Sequence, residues 1–379
     1  MTNRILVVVN HFYPYIGGLE NSVLELYGKM KILYPEMEID VVCNNTERVV
    51  RQERYRGLNI HRMECWNMLG HRYSIPKPFS LMKTFKDIRH HDYRYVNAHT
   101  RFFINSLIAF LYARMHKIVY VHTEQGASFT KLDNLFVSWM SYLVDQTVGR
   151  LILTFADRVV AISTAAGLFA QRLGARDYRV IHHGVESKNR VFDGRFSGKE
   201  PGSLIAVGRL VYGKGIQDLL LVLKDIDLPF KLRIVGDGMY RSELEKRVQA
   251  YRLEDRVEFC GFLDSDDVHR LLAKSQVFIN PTYTEGFGIT TIEAGLEGCA
   301  IVASNVGGQA DIIDDGIDGF LIDGFEFQEP ERFDLLRDRL VQLLGDRKLC
   351  ETLGKRIQRK VMEEFSWEKA ARAYAELVR

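Results

Sequence analysis

The stretch Asn280–Asp311, NPTYTEGFGITTIEAGLEGCAIVASNVGGQAD, decides how this chain is read. Before it, Val277–Asn280 is a short apolar strand that runs into Pro281 and a polar turn. Glu285-Gly-Phe-Gly then opens a helix that carries Glu293 and ends near Gly298. A second buried strand, Ala300–Ser304, leads to Gly307-Gly308. Strand, loop, helix and strand in this order form a unit of a parallel sheet, where the loops after the strand carboxyl ends carry the ligand. Glu285 sits in the loop and Glu293 two turns into the helix, so both can face one site. Gly286 and Gly288 let backbone N–H groups approach a ligand at a helix N-terminus, a place that favours anions. Without its surroundings, the same pair also describes an ordinary helix with one solvated glutamate.

Working outward, the chain has 379 residues, which suits two domains of ~150–200 residues. A hydrophobic content of 46% with 26% charge fits a soluble globular protein, and a net charge of +2 excludes a polycation. Cys43, Cys65, Cys260, Cys299 and Cys350 are odd in number and form no C-x-x-C. A disulfide framework or zinc site is therefore not expected, and a reducing compartment fits. The N-terminal strand, Arg4-Ile-Leu-Val-Val-Val-Asn10, lacks a signal-peptide pattern. No uncharged apolar run reaches the ~18 residues of a spanning helix. The expectation is a cytoplasmic protein, with a place on the inner membrane face left open.

In the first half, the continuous apolar run Ile5–Val9 is expected of a central parallel strand buried on both faces. Gly17-Gly18 follow it before a helix, where backbone N–H groups can face a phosphate or a sugar oxygen, or simply make a turn. No G-x-G-x-x-G is present, which disfavours a nicotinamide-binding reading. From Arg48 to Arg94 there are eleven Lys or Arg against four acidic residues, a net +7. Trp66, Tyr73, Phe79 and Phe85 are interleaved. The pattern suits an anionic membrane surface or a phosphate-bearing acceptor, and equally a solvated, loop-rich edge. No nucleic-acid motif supports a third option. His99, Arg101 and His122 stand at strand carboxyl ends. Leu132–Phe155 is an apolar helical stretch, read as core, with Phe136, Trp139 and Tyr142 as an alternative lipid-facing side.

In the second half, Glu186–Gly202 is polar and reads as loop. A fresh α/β unit begins at Ser203–Gly208, followed by Arg209-Leu-Val-Tyr-Gly-Lys214-Gly215. A planar guanidinium and an ammonium five residues apart, at a helix N-terminus, can form a clamp for a diphosphate, though without their surroundings such a pair is more often two surface cations on a loop. The P-loop order G-x4-G-K-[ST] is absent, which argues against phosphate-loop NTPase chemistry. Asp225/Asp227 and Asp264/Asp266 are D-x-D pairs at element ends and read as caps or turns. Ser366 is a suitable N-cap for a last helix from Trp367.

Pro281, Glu285-Gly-Phe-Gly, Glu293-Ala, Gly298, Val302-Ala-Ser and Gly307-Gly308 fall in one register. Together they resemble the signature of the retaining GT-B glycosyltransferases of the large family 4 (E-x7-E) group. The Arg209–Gly215 string is similar to the same family's G-R-L-x-x-x-K-G pattern. The resemblance implies an α/β fold of GT-B type, with two doubly wound Rossmann-like domains facing across a cleft. It divides the chain into an acceptor-side domain 1–183, a nucleotide-sugar domain 184–364, and a terminal helix 365–379 crossing back to the first domain. It implies sugar transfer from a nucleotide-diphosphate sugar to an acceptor hydroxyl with retention, without a catalytic metal or cofactor. UDP-sugar is the expected donor and GDP-sugar the alternative. The basic 48–94 segment and the apolar helix after His122 favour a glycan or lipid-linked acceptor of cell-envelope assembly, with a soluble small acceptor as the alternative. By resemblance, Arg209, Lys214, Glu285 and His122 carry the chemistry. Gly17, Gly18, Gly208, Gly236, Phe262, Leu263, Gly286, Phe287, Gly288, Ile289 and Glu293 hold the nucleotide sugar, with Glu293 on the ribose hydroxyls and His122 near the reacting carbon. His183 and Asp311 depart from the family's usual Asn and Glu. A nucleotide-sugar epimerase, a sugar phosphorylase of the same fold and a non-catalytic binding subunit remain alternatives.

Overall fold

The computed structural model describes all residues except 1–2, 16, 69–72, 102, 130–134, 187–189, 195, 326–328 and 378–379, and side chains except also those of 135–138. The chain divides into two compact units, Met1–His183 with Trp367–Arg379, and Gly184–Ser366.

The first unit runs β1 (Arg4–Val8), α1 (Gly18–Leu33), β2 (Glu38–Asn44), β3 (Gln52–Tyr55), β4 (Leu58–Met63), β5 (Cys65–Met68) and β6 (Tyr73–Pro76). It continues with α2 (Pro78–Ile88), β7 (Tyr95–His99), α3 (Ile104–His116), β8 (Val119–Glu124), α4 (Leu135–Val144), α5 (Arg150–Phe155), β9 (Arg158–Ala161), α6 (Thr164–Arg172) and β10 (Arg179–Val180). Eight strands form one sheet in the order β10-β9-β8-β7-β1-β2-β4-β3, parallel apart from β3. Ile5, Leu6, Val7 and Val8 have no exposed surface, because β1 lies between β2 and β7 with apolar layers on both faces.

The second unit runs β11 (Ser203–Val207), α7 (Ile216–Leu223), β12 (Lys231–Val235), α8 (Arg241–Ala250), β13 (Val257–Gly261), α9 (Ser265–Lys274) and β14 (Val277–Asn280). Then come α10 (Ile289–Leu296), β15 (Ala300–Ser304), α11 (Gln309–Ile312), β16 (Phe320–Ile322), α12 (Arg332–Gly345) and α13 (Arg347–Glu364). Its sheet is wholly parallel, in the order β13-β12-β11-β14-β15-β16. The last helix, α14 (Trp367–Ala375), belongs to the first unit. There Trp367, Ala370, Ala371 and Tyr374 join Val23, Leu26, Tyr27 and Met30 in one buried cluster. His183 ends the first unit with its ring 5.5 Å from that of Trp367.

Two segments differ from their sequence reading. The basic stretch 48–94 holds β3, β4, a β5–β6 hairpin and α2 where loop was the bland expectation. Much of its charge is paired. Arg62 is buried and donates to Glu53 at 2.6 Å, Arg51 pairs with Asp87, Arg56 with Glu25 and Lys77 with Glu64. The strand pair is hard to read from sequence because β3 is largely polar, with Gln52 and Arg54 exposed, while Leu58 and Ile60 of β4 go inward. The apolar stretch ending at Phe155 is not one α-helix. A π-turn, Asp145–Gly149, separates α4 from α5. Asp264 caps α9 by accepting the Asp267 N–H at 2.9 Å, a cap as the D-x-D reading expected.

Candidate functional site

In a doubly wound sheet the ligand crevice opens where strand order reverses, outside the carboxyl ends. In the second unit that point lies between β11 and β14. The loop after β11 carries Gly208, Arg209 and Lys214, and the loop after β14 carries Pro281 to Gly288. The two loops are locked together. Thr282 Oγ1 and the Tyr283 N–H both donate to the Gly213 carbonyl, at 3.1 and 2.9 Å. Lys214 Nζ then meets Glu285 Oε2 at 2.7 Å, with the side chains 27% and 18% exposed. The sequence-predicted clamp lysine and sugar carboxylate are therefore brought into direct contact. Arg209 is exposed, with no side-chain partner among the described residues. A small recess between these loops is lined by Gly208, Arg209, Lys214, Asn280 and Pro281.

Glycine is required at two of the close approaches. Gly307, at φ +58°, lies so near the Glu285 carbonyl that a Cβ would fall 1.6 Å from its oxygen. Gly236, at φ +126°, would place a Cβ 2.0 Å from the Gly208 carbonyl oxygen. Both positions combine a left-handed backbone with backbone contact, which no larger residue tolerates. The first joins the loops after β14 and β15, and the second those after β11 and β12.

The loop after β14 ends at Gly288, the N-cap of α10, and Ile289 is that helix's first residue. Gly286 and Gly288 flank Phe287, whose ring is buried and lies 5.7 Å from that of Phe365. The Phe287 side chain is thus core, and only its backbone can serve a ligand; its apolar character was a packing signal. One turn further in, Glu293 is partly buried. Burial raises its carboxyl to about 7, with the positive character of His269 opposing and the Glu297 charge adding. His269 Nδ1 is 2.8 Å from Glu297 Oε1; burial lowers its pKa, but the Glu297 bond and the nearby glutamate charges more than offset this. Glu297 also accepts the Val191 and Phe192 N–H groups. After β13, Phe262 is 69% exposed and Leu263 half-buried, an aromatic edge open to a ligand. The Gln309 carboxamide, not singled out in sequence, is fully buried with neither polar atom hydrogen-bonded, and it approaches Gly288 at the head of α10.

In the first unit the corresponding reversal lies between β1 and β7. Gly17 is the N-cap of α1, and Gly18 begins it. The Glu20 carboxylate lies against Gly17, within 2.2 Å of where a Cβ would sit. This end of α1 therefore already has a negative group of its own. His122 differs from its expected presentation. Its imidazole has no exposed surface, with Nε2 3.5 Å from Glu124 Oε2 and Nδ1 3.4 Å from the Tyr120 hydroxyl. A strand-end histidine can turn inward when a buried carboxylate two residues on faces the same side of the strand, and sequence spacing alone did not reveal this.

That carboxylate belongs to a network that sequence reasoning missed. Arg101, 3% exposed, donates to Glu124 at 2.6 Å and to Asp145 through Nη2 at 3.1 Å, with Nε 3.0 Å from the other Asp145 oxygen. Glu124 also accepts the Gln125 and Gly126 N–H groups, and Arg101 reaches the Ser128 carbonyl. The cluster thereby fixes the loop after β8. Burial pushes Glu124 upward, yet the Arg101 charge and the His122 and Gly126 bonds hold it below the usual carboxylate range. Burial raises Asp145 despite the same arginine. Asp145 starts the π-turn, a feature often found at functional sites.

Among the described residues no group of three or more His, Cys, Asp or Glu is placed to hold a metal ion. Also among them, no helix is long and apolar enough to cross a membrane.

Two family models match. Residues 188–360 match Glycosyl transferases group 1, and residues 16–189 match Glycosyltransferase Family 4. An uncharacterized glycosyltransferase of Methanocaldococcus jannaschii is 27% identical, covering 99% of this chain and 97% of that protein. Among solved structures, sucrose-phosphate synthase from Thermosynechococcus elongatus has a TM-score of 0.82 at 22% identity, covering 99% and 98% of the two chains. HepE from Anabaena, solved in complex with UDP, has a TM-score of 0.78 at 19% identity, covering 98% of each chain.

Proposed function

We propose that this chain, which belongs to the GT-B glycosyltransferases of family 4, transfers a hexosyl or N-acetylhexosaminyl unit from a nucleotide-diphosphate sugar to an acceptor hydroxyl with retention of configuration. The observation that carries this reading is the Lys214–Glu285 contact at the β11/β14 reversal, with Arg209 free beside it. As the bond between sugar and diphosphate breaks, negative charge grows on phosphate oxygens and positive charge on the sugar ring. Lys214 and Arg209 stabilise the first, and the N-terminus of α10 adds backbone donors. Glu285 orients the sugar through its hydroxyls, and Glu293 accepts hydrogen bonds from the ribose. Phe262 offers a face for the base. The leaving phosphate takes the acceptor proton on the same side of the sugar. Neither a metal nor a cofactor has a role in this scheme.

UDP-sugar is the favoured donor, in keeping with the UDP bound by the Anabaena neighbour, and GDP-sugar is second. The acceptor is a lipid-linked or cell-surface glycan precursor. Supporting this, α2 exposes Phe79 and Met82 beside Lys83 and Lys86, and α4 exposes Trp139 and Tyr142; the Phe136 side chain lies outside the described residues. The mixed apolar and basic face of α2 suits an anionic membrane surface at the cytoplasmic side, and the apolar face of α4 suits the lipid portion of an acceptor. Thermal-shift screening against UDP- and GDP-sugars, followed by NMR of the product anomer, tests the whole reading. Stabilisation by one donor and a retained anomer are expected. No response to any nucleotide sugar would overturn it.

Glu293 adds a pH test. Its folded pKa, about 7, stands above its ordinary 4.5. The folded chain therefore holds a proton that the unfolded chain releases, and this contribution to stability is lost as pH rises from about 4.5 through about 7. Glu293→Gln should gain melting temperature relative to the parent on going from about pH 5 to pH 8. The same change should weaken UDP binding, because the carboxylate that receives the ribose hydroxyls is gone. Unchanged UDP affinity would remove Glu293 from the ribose.

A further inference from the structure

The first unit contains a second opening, at the end of its sheet opposite the loops that follow β7 and β8. A cavity of about 530 Å³ lies at the amino ends of β9 and β10. This volume is within the range of small-molecule sites. Leu153 and Val159, both buried, lie at its inner side. The Tyr178 ring packs against α6, so close that a Cβ on Gly167 would fall 2.1 Å from it. Arg114, Arg158, Arg176 and Arg179 line it, against Asp157 and Asp177. Thirteen lining residues thus carry a net +2, as much as the whole 379-residue chain.

Cations are expected where helix C-termini gather, and Arg114 fills that role by donating to the Phe155 carbonyl at the end of α5. Arg114 also pairs with Asp157, whose second oxygen accepts the Tyr120 N–H. Arg158 donates to the Asp157 carbonyl. Arg176 and Arg179 do neither. Both are exposed, and among the described residues neither guanidinium has a hydrogen-bond or ionic partner. Asp177 does not pair with them; it accepts the N–H of Tyr178. Two free planar forks three residues apart, in a cavity also lined by Tyr178, Phe155 and buried Leu153 and Val159, match a phosphoryl group on a small organic body.

We propose that this cavity is a phosphoryl-binding site, separate from the nucleotide-sugar site, that takes a small organophosphate. The phosphoryl group bridges Arg176 and Arg179, and the organic body lies over Tyr178 and Phe155. The same chemistry is offered by a soluble phosphate ester or by a lipid headgroup. The test is calorimetric titration of inorganic pyrophosphate into the chain already saturated with UDP. One further site is expected. It should weaken at least tenfold in Arg176→Gln/Arg179→Gln and persist in Lys214→Ala. Because both arginines are exposed, the double variant should melt as the parent does without ligand. Co-sedimentation with phosphatidylglycerol-containing vesicles forms the second arm. Loss of vesicle binding in the double variant, with little pyrophosphate binding in the parent, assigns the site to a lipid headgroup. If neither pyrophosphate nor vesicle binding responds to the double substitution, the proposal is wrong, and UDP binding is left untouched by that outcome.

Discussion

Lys214→Ala is expected to lower kcat for sugar transfer by about 10²–10³ while the chain stays folded, the usual cost of removing one preorganised group that meets developing charge. The side chain is partly exposed and supports no apolar core, so stability should change little. Its ammonium is held by Glu285 at 2.7 Å. Under the proposed function a donor diphosphate would replace that carboxylate at Lys214 and release Glu285 toward the sugar. The two partners should therefore respond differently. Lys214→Ala weakens UDP binding and slows transfer together. Glu285→Gln frees Lys214 from its anionic partner, so UDP binds more tightly while transfer slows. Steady-state kinetics with the identified donor, and calorimetry with UDP, separate the two. Near-parental kcat in Lys214→Ala and in Arg209→Ala would remove the clamp from the mechanism.

That exchange was only partly legible in the sequence. Strands such as Ile5–Val8 are apolar runs, and burial on both faces leaves little else for them to be. Lys214 and Glu285 are a different matter. Seventy-one residues separate them, and no local period relates them. Their partnership was accessible only because each lies in a motif with a known place at a strand end. The glycine positions were legible for the same reason, and Gly236 and Gly307 prove to be sites of backbone contact.

Where long-range pairing decides the outcome, the sequence was silent. Arg62 counted toward a basic segment, yet Glu53 and two backbone carbonyls, those of Val50 and Tyr13, surround it. Phe287 and His122 stood in motif positions, and neither side chain reaches the surface. In each case side-chain direction depends on a neighbour brought by the fold. Lys199 is the extreme example. It lies in a stretch that reads as polar loop, but its ammonium is buried. It donates to the carbonyls of Leu272, Ala273, Ser275 and Glu297 where α9 and α10 end. Burial lowers its pKa, with the charges of Cys299 and Glu297 opposing.

The buried cluster around Arg101 should give the largest loss of stability. Arg101→Met leaves Glu124 and Asp145, neither with exposed surface, without their counter-charge. Breaking a buried ion pair from one side typically costs about 3–5 kcal/mol, because the remaining charge stays desolvated. Two carboxylates here share one guanidinium, so the upper part of that range is expected. Urea denaturation of the purified chain measures it. The cost should be asymmetric. Removing the charges from both acids as well, in Arg101→Met/Glu124→Gln/Asp145→Asn, should recover part of the loss, because uncharged amides need only hydrogen bonds. Glu124→Gln alone should be milder in stability and sharper in function. The Gln125 and Gly126 N–H groups both go to one oxygen, Oε1, and an amide keeps that acceptor but not the negative charge that strengthens both bonds and the Arg101 contact. Faster hydrogen exchange at those two amides, with kcat reduced and donor KM nearly unchanged, marks a positioning role for the loop after β8. If Arg101→Met unfolds at the parental urea midpoint, the cluster is open to water in solution and the loop takes its order from elsewhere.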